Sequence, residues 1–141
     1  PPYALISRSD EASQRPSITF EQLSKKPMIM LDLPYTRDYF FGLFRARGLE
    51  PDVAHSTRSS EIAKALVEGD FGFTLLNIRP RNYSPKDSRY SVVPISDSSD
   101  VPIFGISTTG NLRQPKNVRS FIKICTKLRD DGIFDSCTVT A

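Results

Sequence analysis

A single histidine and two cysteines are all that this chain of 141 residues offers to imidazole, thiol or soft-metal chemistry. A nucleophilic enzyme needs a base within reach of the attacking group. His55 is the only imidazole, and its one conceivable thiol partner, Cys125, falls on the apolar stripe of an expected helix, where a thiol serves as packing. A metal site needs three or four converging ligands, which one histidine and dispersed carboxylates do not supply. Also missing are a Gly-x-Ser-x-Gly elbow, a His-Glu-x-x-His pair, a Cys-x-x-Cys pair and a glycine-rich phosphate loop ahead of a helix. The chain is therefore read as a non-enzyme with no cofactor. Cys125 and Cys137 lack the spacing of a disulfide or metal framework and read as a buried thiol and a tail thiol in a reducing cytoplasm.

No apolar run approaches the roughly 20 residues of a membrane-spanning helix. Excess charge is scarce as well: the net charge is +3 with a pI near 9.0, and the basic residues are dispersed, not gathered into a stripe with interleaved aromatics. Direct nucleic-acid binding by this segment is thereby disfavoured. Internal repeats and low-complexity blocks are absent. The chain opens Pro1-Pro2-Tyr3 with neither an initiator methionine nor a signal-peptide pattern, so it is expected to be part of something longer. The sequon Asn82-Tyr83-Ser84 is a chance match without a secretory signal.

What is present is an alternation of short apolar runs with helix starts rich in hydroxyls. Tyr3 to Ser7 predicts a strand, and Thr19-Phe20-Glu21-Gln22 has the order of a capping box, opening a short helix that Pro27 stops. Met28 to Leu33 predicts a central parallel strand. Tyr39, Phe40, Leu43 and Phe44 then recur at helical spacing over Thr36 to Arg47, with Gly48 at the C-terminal stop. Val53 to Ser56 predicts a brief strand. A helix follows from Ser59 to Glu68, with Ile62, Ala63, Leu66 and Val67 inward, and then a strand from Phe71 to Ile78. The order β-α-β-α-β predicts an open α/β sheet. Ser91 to Ile95 adds an edge strand, Pro102 to Thr108 another strand, and Asn117 to Arg129 a helix with Val118, Phe121, Ile122, Cys125 and Leu128 on one stripe.

Two polar connectors divide the chain. Residues 16–95 are expected to form a complete α/β lobe, residues 1–15 a strand and hinge connector of a second lobe, residues 96–132 the hinge return with a strand and helix of that second lobe, and residues 133–141 a tail.

In an open α/β sheet, ligands bind at the carboxyl ends of the strands. Three strand ends here carry suitable groups: Tyr35, Thr36 and Arg37 after the first, Thr57, Arg58 and Ser59 after the second, Asn77 and Arg79 after the third. Helix N-termini present free N–H groups, and arginine forks onto a carboxylate, so the expected partner is a small anion such as a carboxylate. Simple N-capping accounts for one hydroxyl at each start, not for all of these residues.

These segments resemble the effector-binding domain of LysR-type transcriptional regulators, which has the type 2 periplasmic-binding-protein fold. The resemblance rests on Ile18-Thr19-Phe20-Glu21-Gln22-Leu23, Met30-Leu31-Asp32-Leu33-Pro34 with Arg37-Asp38-Tyr39-Phe40, Gly48-Leu49-Glu50-Pro51, Thr57-Arg58-Ser59 with Ala65-Leu66-Val67, and Gly72-Phe73-Thr74-Leu75-Leu76-Asn77. It implies a cytoplasmic regulator, oligomeric in its full-length form, whose two lobes close on a small-molecule effector. Closure would alter how an attached winged helix-turn-helix domain, not contained in this chain, grips DNA. The positions matching its cleft are Thr36, Arg37, Thr57 to Ser59, Asn77 and Arg79. A solute-binding receptor of a transporter shares the fold and is the alternative; it would carry an export signal. A small α/β enzyme is a third class, disfavoured by the shortage of acid–base groups.

Overall fold

The computed structural model describes residues 2–78, 83–98, 105–108 and 114–135. Strand β1 (Tyr3–Ser7) is buried along its whole length. A 3-10 turn over Glu11–Gln14 leads to the short helix α1 (Phe20–Leu23), whose capping box forms as the sequence predicts. Gln22 N–H donates to Thr19 Oγ1 at 3.2 Å, and Thr19 N–H donates to Gln22 Oε1 at 3.0 Å. Strand β2 (Pro27–Leu31), helix α2 (Thr36–Arg45), strand β3 (Asp52–Thr57), helix α3 (Ser60–Glu68) and strand β4 (Thr74–Leu76) follow. Strand β5 (Tyr90–Pro94) and helix α4 (Lys116–Asp130) complete the described elements.

β2 and β3 pair in parallel, and β1 pairs antiparallel with β4 on one side and β5 on the other. A parallel bridge between Met28 and Phe73 joins the two sets, through Ile29 N–H to Phe73 O at 2.7 Å and Phe73 N–H to Pro27 O at 3.0 Å. The strand order is thus β3-β2-β4-β1-β5. Gly72 permits the junction: its φ is +140°, and a Cβ there would collide with the Pro27 carbonyl. Only glycine combines that backbone angle with so close an approach.

Alternation along the strands divides the core. Ala4, Ile6, Met28 and Met30 face α1 and α2 with Phe20, Phe40, Leu43 and Phe44. Tyr3, Leu5 and Ile29 face the other way, against Ala63 and Val67 of α3. Side chains at period two therefore serve two helical layers, which requires strands apolar on both faces.

Four expectations change. Tyr3 to Ser7, assigned to a second lobe with residues 1–15, is instead an inner strand of this sheet, because five buried residues in a row need neighbours on both edges and both faces. Ile62 was placed inward, yet it is 54% exposed, since α3 buries only Ala63 and Val67. The strand expected over Pro102 to Thr108 lies partly outside the described residues, and 105–108 carry no strand. The stripe on α4 forms on schedule, but no residue of that helix is buried and Cys125 is half-exposed. An amphipathic pattern dictates a face, not what covers it.

Candidate functional site

The sheet order reverses at β2, which bonds β3 on one side and β4 on the other. From β2 the chain turns into α2 on one face, and from β3 into α3 on the opposite face, so the strand ends open a crevice at this switch point. There the structure forms a cleft of about 320 Å³, lined by Tyr35, Thr36, Tyr39 and Asn77.

The turn from β2 into α2 is tight. Asp32 N–H is held by Thr57 O at 2.8 Å, Leu33 N–H by Leu31 O at 3.0 Å, and Thr36 N–H by Leu33 O at 3.1 Å. Closing the turn at Leu33 and Thr36 moves the cap position back to Tyr35, which adopts φ +65° and is 88% exposed. A left-handed tyrosine is costly backbone. Tyr35 also supplies no side-chain cap, so the first-turn amides of Arg37 and Asp38 point off the helix end without an intrahelical acceptor. Asn77 comes from the end of β4 on the neighbouring strand; its Oδ1 is shielded from solvent and has no hydrogen-bond partner. A buried acceptor left unmatched costs on the order of 1–3 kcal/mol.

The second helix start is used differently. Ser59 is the N-cap of α3 and its Oγ accepts from Ile62 N–H at 3.4 Å, while Thr57 Oγ1 accepts from Ser59 N–H at 3.2 Å. Both hydroxyls accept from the backbone, and Arg58 is exposed. None of the three lines the cleft. Arg37 is turned along α2, 3.7 Å from Asp32 Oδ1 and with its guanidinium 5.3 Å from the Phe41 ring centre. Of the residues singled out from sequence, Tyr35, Thr36 and Asn77 are brought together; Arg37, Thr57, Arg58 and Ser59 stand outside this cavity, and Arg79 lies outside the described residues. Tyr39, which the apolar periodicity of α2 assigns to the core, also forms part of this wall. Its spacing of four from Tyr35 was the available signal, since such positions share a helix face.

His55 sits on the exposed strand β3, edge-on to Phe71 with ring centres 5.8 Å apart. Among the described residues no three histidine, cysteine or carboxylate side chains gather as metal ligands, and no helix is long and apolar enough to cross a membrane.

The model of the LysR substrate binding domain matches residues 1–129. No curated protein matches the chain. Solved structures do. HinK, a LysR family transcriptional regulator from Pseudomonas aeruginosa, is 28% identical, with 89% of this chain covering 44% of that one at a TM-score of 0.72. The C-terminal domain of a probable LysR family regulator from Rhodococcus is 23% identical over 89% of this chain and 62% of its own, at a TM-score of 0.73. The effector binding domain of QuiR in complex with shikimate is 13% identical over 89% of this chain and 59% of its own, at 0.74, a likeness of fold alone. The chain thus spans less than half the length of the HinK regulator.

Proposed function

The chain belongs to the LysR substrate-binding domain family, and from that premise we propose that the cleft of Tyr35, Thr36, Tyr39 and Asn77 is one wall of an effector site for a small carboxylic acid. The observation that carries this reading is the coincidence of an uncapped helix start with an unmatched, shielded carboxamide oxygen at the switch point of the sheet. Free amides and the positive end of the α2 dipole suit a carboxylate. Asn77 and the Thr36 hydroxyl suit the hydroxyl groups of such an acid, and the two tyrosines suit an apolar ring. A volume of about 320 Å³ matches a compact metabolite. QuiR, of the same fold, is seen with shikimate, a ligand of this chemical kind.

The anion is met here by main-chain N–H groups more than by arginine. Arg37 contributes at longer range, because its present partners are Asp32 and the face of Phe41. In the full-length protein a second lobe would supply the opposing wall, and effector binding would set the DNA grip of an N-terminal winged helix-turn-helix domain in a cytoplasmic homo-oligomer. A transporter receptor of the same fold is not favoured, given the family match over residues 1–129.

Calorimetric titration of the full-length protein with shikimate and a series of other small carboxylates tests the reading. Thr36→Ala and Asn77→Ala should each weaken binding by about tenfold, the value of one lost hydrogen bond. Arg37→Ala should cost about two- to threefold and more at low salt, as a screened surface charge does. Affinities unmoved by all three substitutions would place the effector elsewhere.

A further inference from the structure

Three stretches distant in sequence meet at one guanidinium. Arg47 stands in the turn that closes α2, where its Nη1 donates to Leu43 O at 2.7 Å. Its Nη2 donates to the backbone carbonyl of Asp97, and its Nε lies 3.5 Å from Asp97 Oδ2. Its guanidinium carbon lies over the Phe20 ring, 4.4 Å from the centre. Asp97 in turn accepts the Phe20 N–H with both carboxylate oxygens, at 3.1 and 3.2 Å. Phe20 packs edge-on against Phe44 of α2, ring centres 4.9 Å apart.

Asp97 marks where the chain leaves the lobe. Ser96 N–H still bonds Ile18 O at 3.0 Å, but no described residue after Ile95 is buried. α2 therefore touches the cleft with its first turn, through Thr36 and Tyr39, and the turn that closes it touches the outgoing chain, through Arg47. Ten helical residues make a rod of about 15 Å between the two.

We infer that Arg47 is a positioning residue that makes α2 a strut, so that a ligand held at the first turn also sets the outgoing chain at Asp97. The ligand half of this inference rests on the effector reading; the mechanical half does not. Arginine is required for the role because one rigid fork reaches two acceptors while its face stacks on a ring, which a lysine ammonium does not do. Coupling of this kind is reciprocal: what binding does to the outgoing chain, loosening that chain does to the first turn of α2.

Amide hydrogen exchange, resolved by residue, tests it in Arg47→Lys and Asp97→Asn, both conservative enough to keep the fold, with urea unfolding as the check. The Phe20 amide should exchange about tenfold faster in each variant, and the Tyr39 amide, at the far end of α2, about threefold faster, as sub-global loosening requires. A change confined to Phe20 and the last turn of α2 would reduce Arg47 to a local clasp and overturn the strut, as would no change at all. In a second arm with shikimate, binding should protect the Ser96 amide in the native protein and fail to do so in Arg47→Lys. Protection retained in that variant also overturns the inference. Absence of shikimate binding counts against the proposed effector chemistry alone, and the exchange at Tyr39 then decides the strut by itself.

Discussion

Thr74 is fully buried in β4, and its hydroxyl has no hydrogen-bond partner. Alternation with Leu75, which joins the α1–α2 side of the core, turns it toward the side that α3 covers. Replacing it by the isosteric valine removes an unmatched polar atom without opening a cavity. Thr74→Val should therefore raise stability by about 1 kcal/mol, read as a higher urea midpoint with unchanged slope. An unchanged or lower midpoint would mean the hydroxyl is satisfied in solution. At this scale much of the site was unreadable in sequence. Tyr35, Thr36 and Asn77 could be named because they follow strands, but nothing in Pro34-Tyr35-Thr36 announces that the cap falls on a left-handed tyrosine; that follows from the Thr36 N–H bond to Leu33 O. Thr57 and Ser59 accept backbone N–H groups at the start of α3, a use the sequence does not separate from facing a ligand, because hydroxyls look alike in either role.

Among elements, the segment between β1 and α1 shows how a polar stretch is fixed. Asp10 caps the 3-10 turn, accepting from Ala12 N–H at 2.9 Å, and pairs with Lys26 at 2.6 Å from the turn ahead of β2. Burial by itself would raise the Asp10 carboxyl; the Lys26 hydrogen bond, the Ala12 N–H and the charges of Lys26 and Arg15 outweigh it and hold the group below its ordinary value. A carboxyl lowered in the folded state stabilises the protein above its unfolded pKa, and that contribution is lost as pH falls through the folded pKa. Asp10→Asn should accordingly cost about 1 kcal/mol at pH 7, keep that cost down to about pH 4, and lose it only as the pH falls further through the lowered folded pKa, so the two stability curves should converge in strong acid. Curves that stay parallel would remove charge from the account. The helices were legible because Gly48, Gly69, the Thr19 capping box and the Ser59 cap punctuate them. β4 proved shorter than its apolar run, because Gly72 crosses Pro27 before pairing with β1 begins.

For the whole molecule, the net charge of +3 is spread, not focused. The chain alone should show no DNA binding at micromolar concentration; fluorescence anisotropy with duplex DNA at low salt checks this, and a salt-sensitive signal would contradict an effector-only role. The amino-acid sequence determined the local elements, the two-faced apolar strands and the family, because these depend on residue type and spacing along the chain. Only the tertiary structure decided that Tyr3–Ser7 is an inner strand, that β2 is the switch point, and that Asn77 shares a cleft with Thr36 while Ser59 turns back to its own helix. The reason is physical. Periodicity specifies which side of an element is apolar, whereas strand order and cleft walls arise from contacts between residues far apart in sequence, such as Met28 with Phe73, that no local pattern encodes.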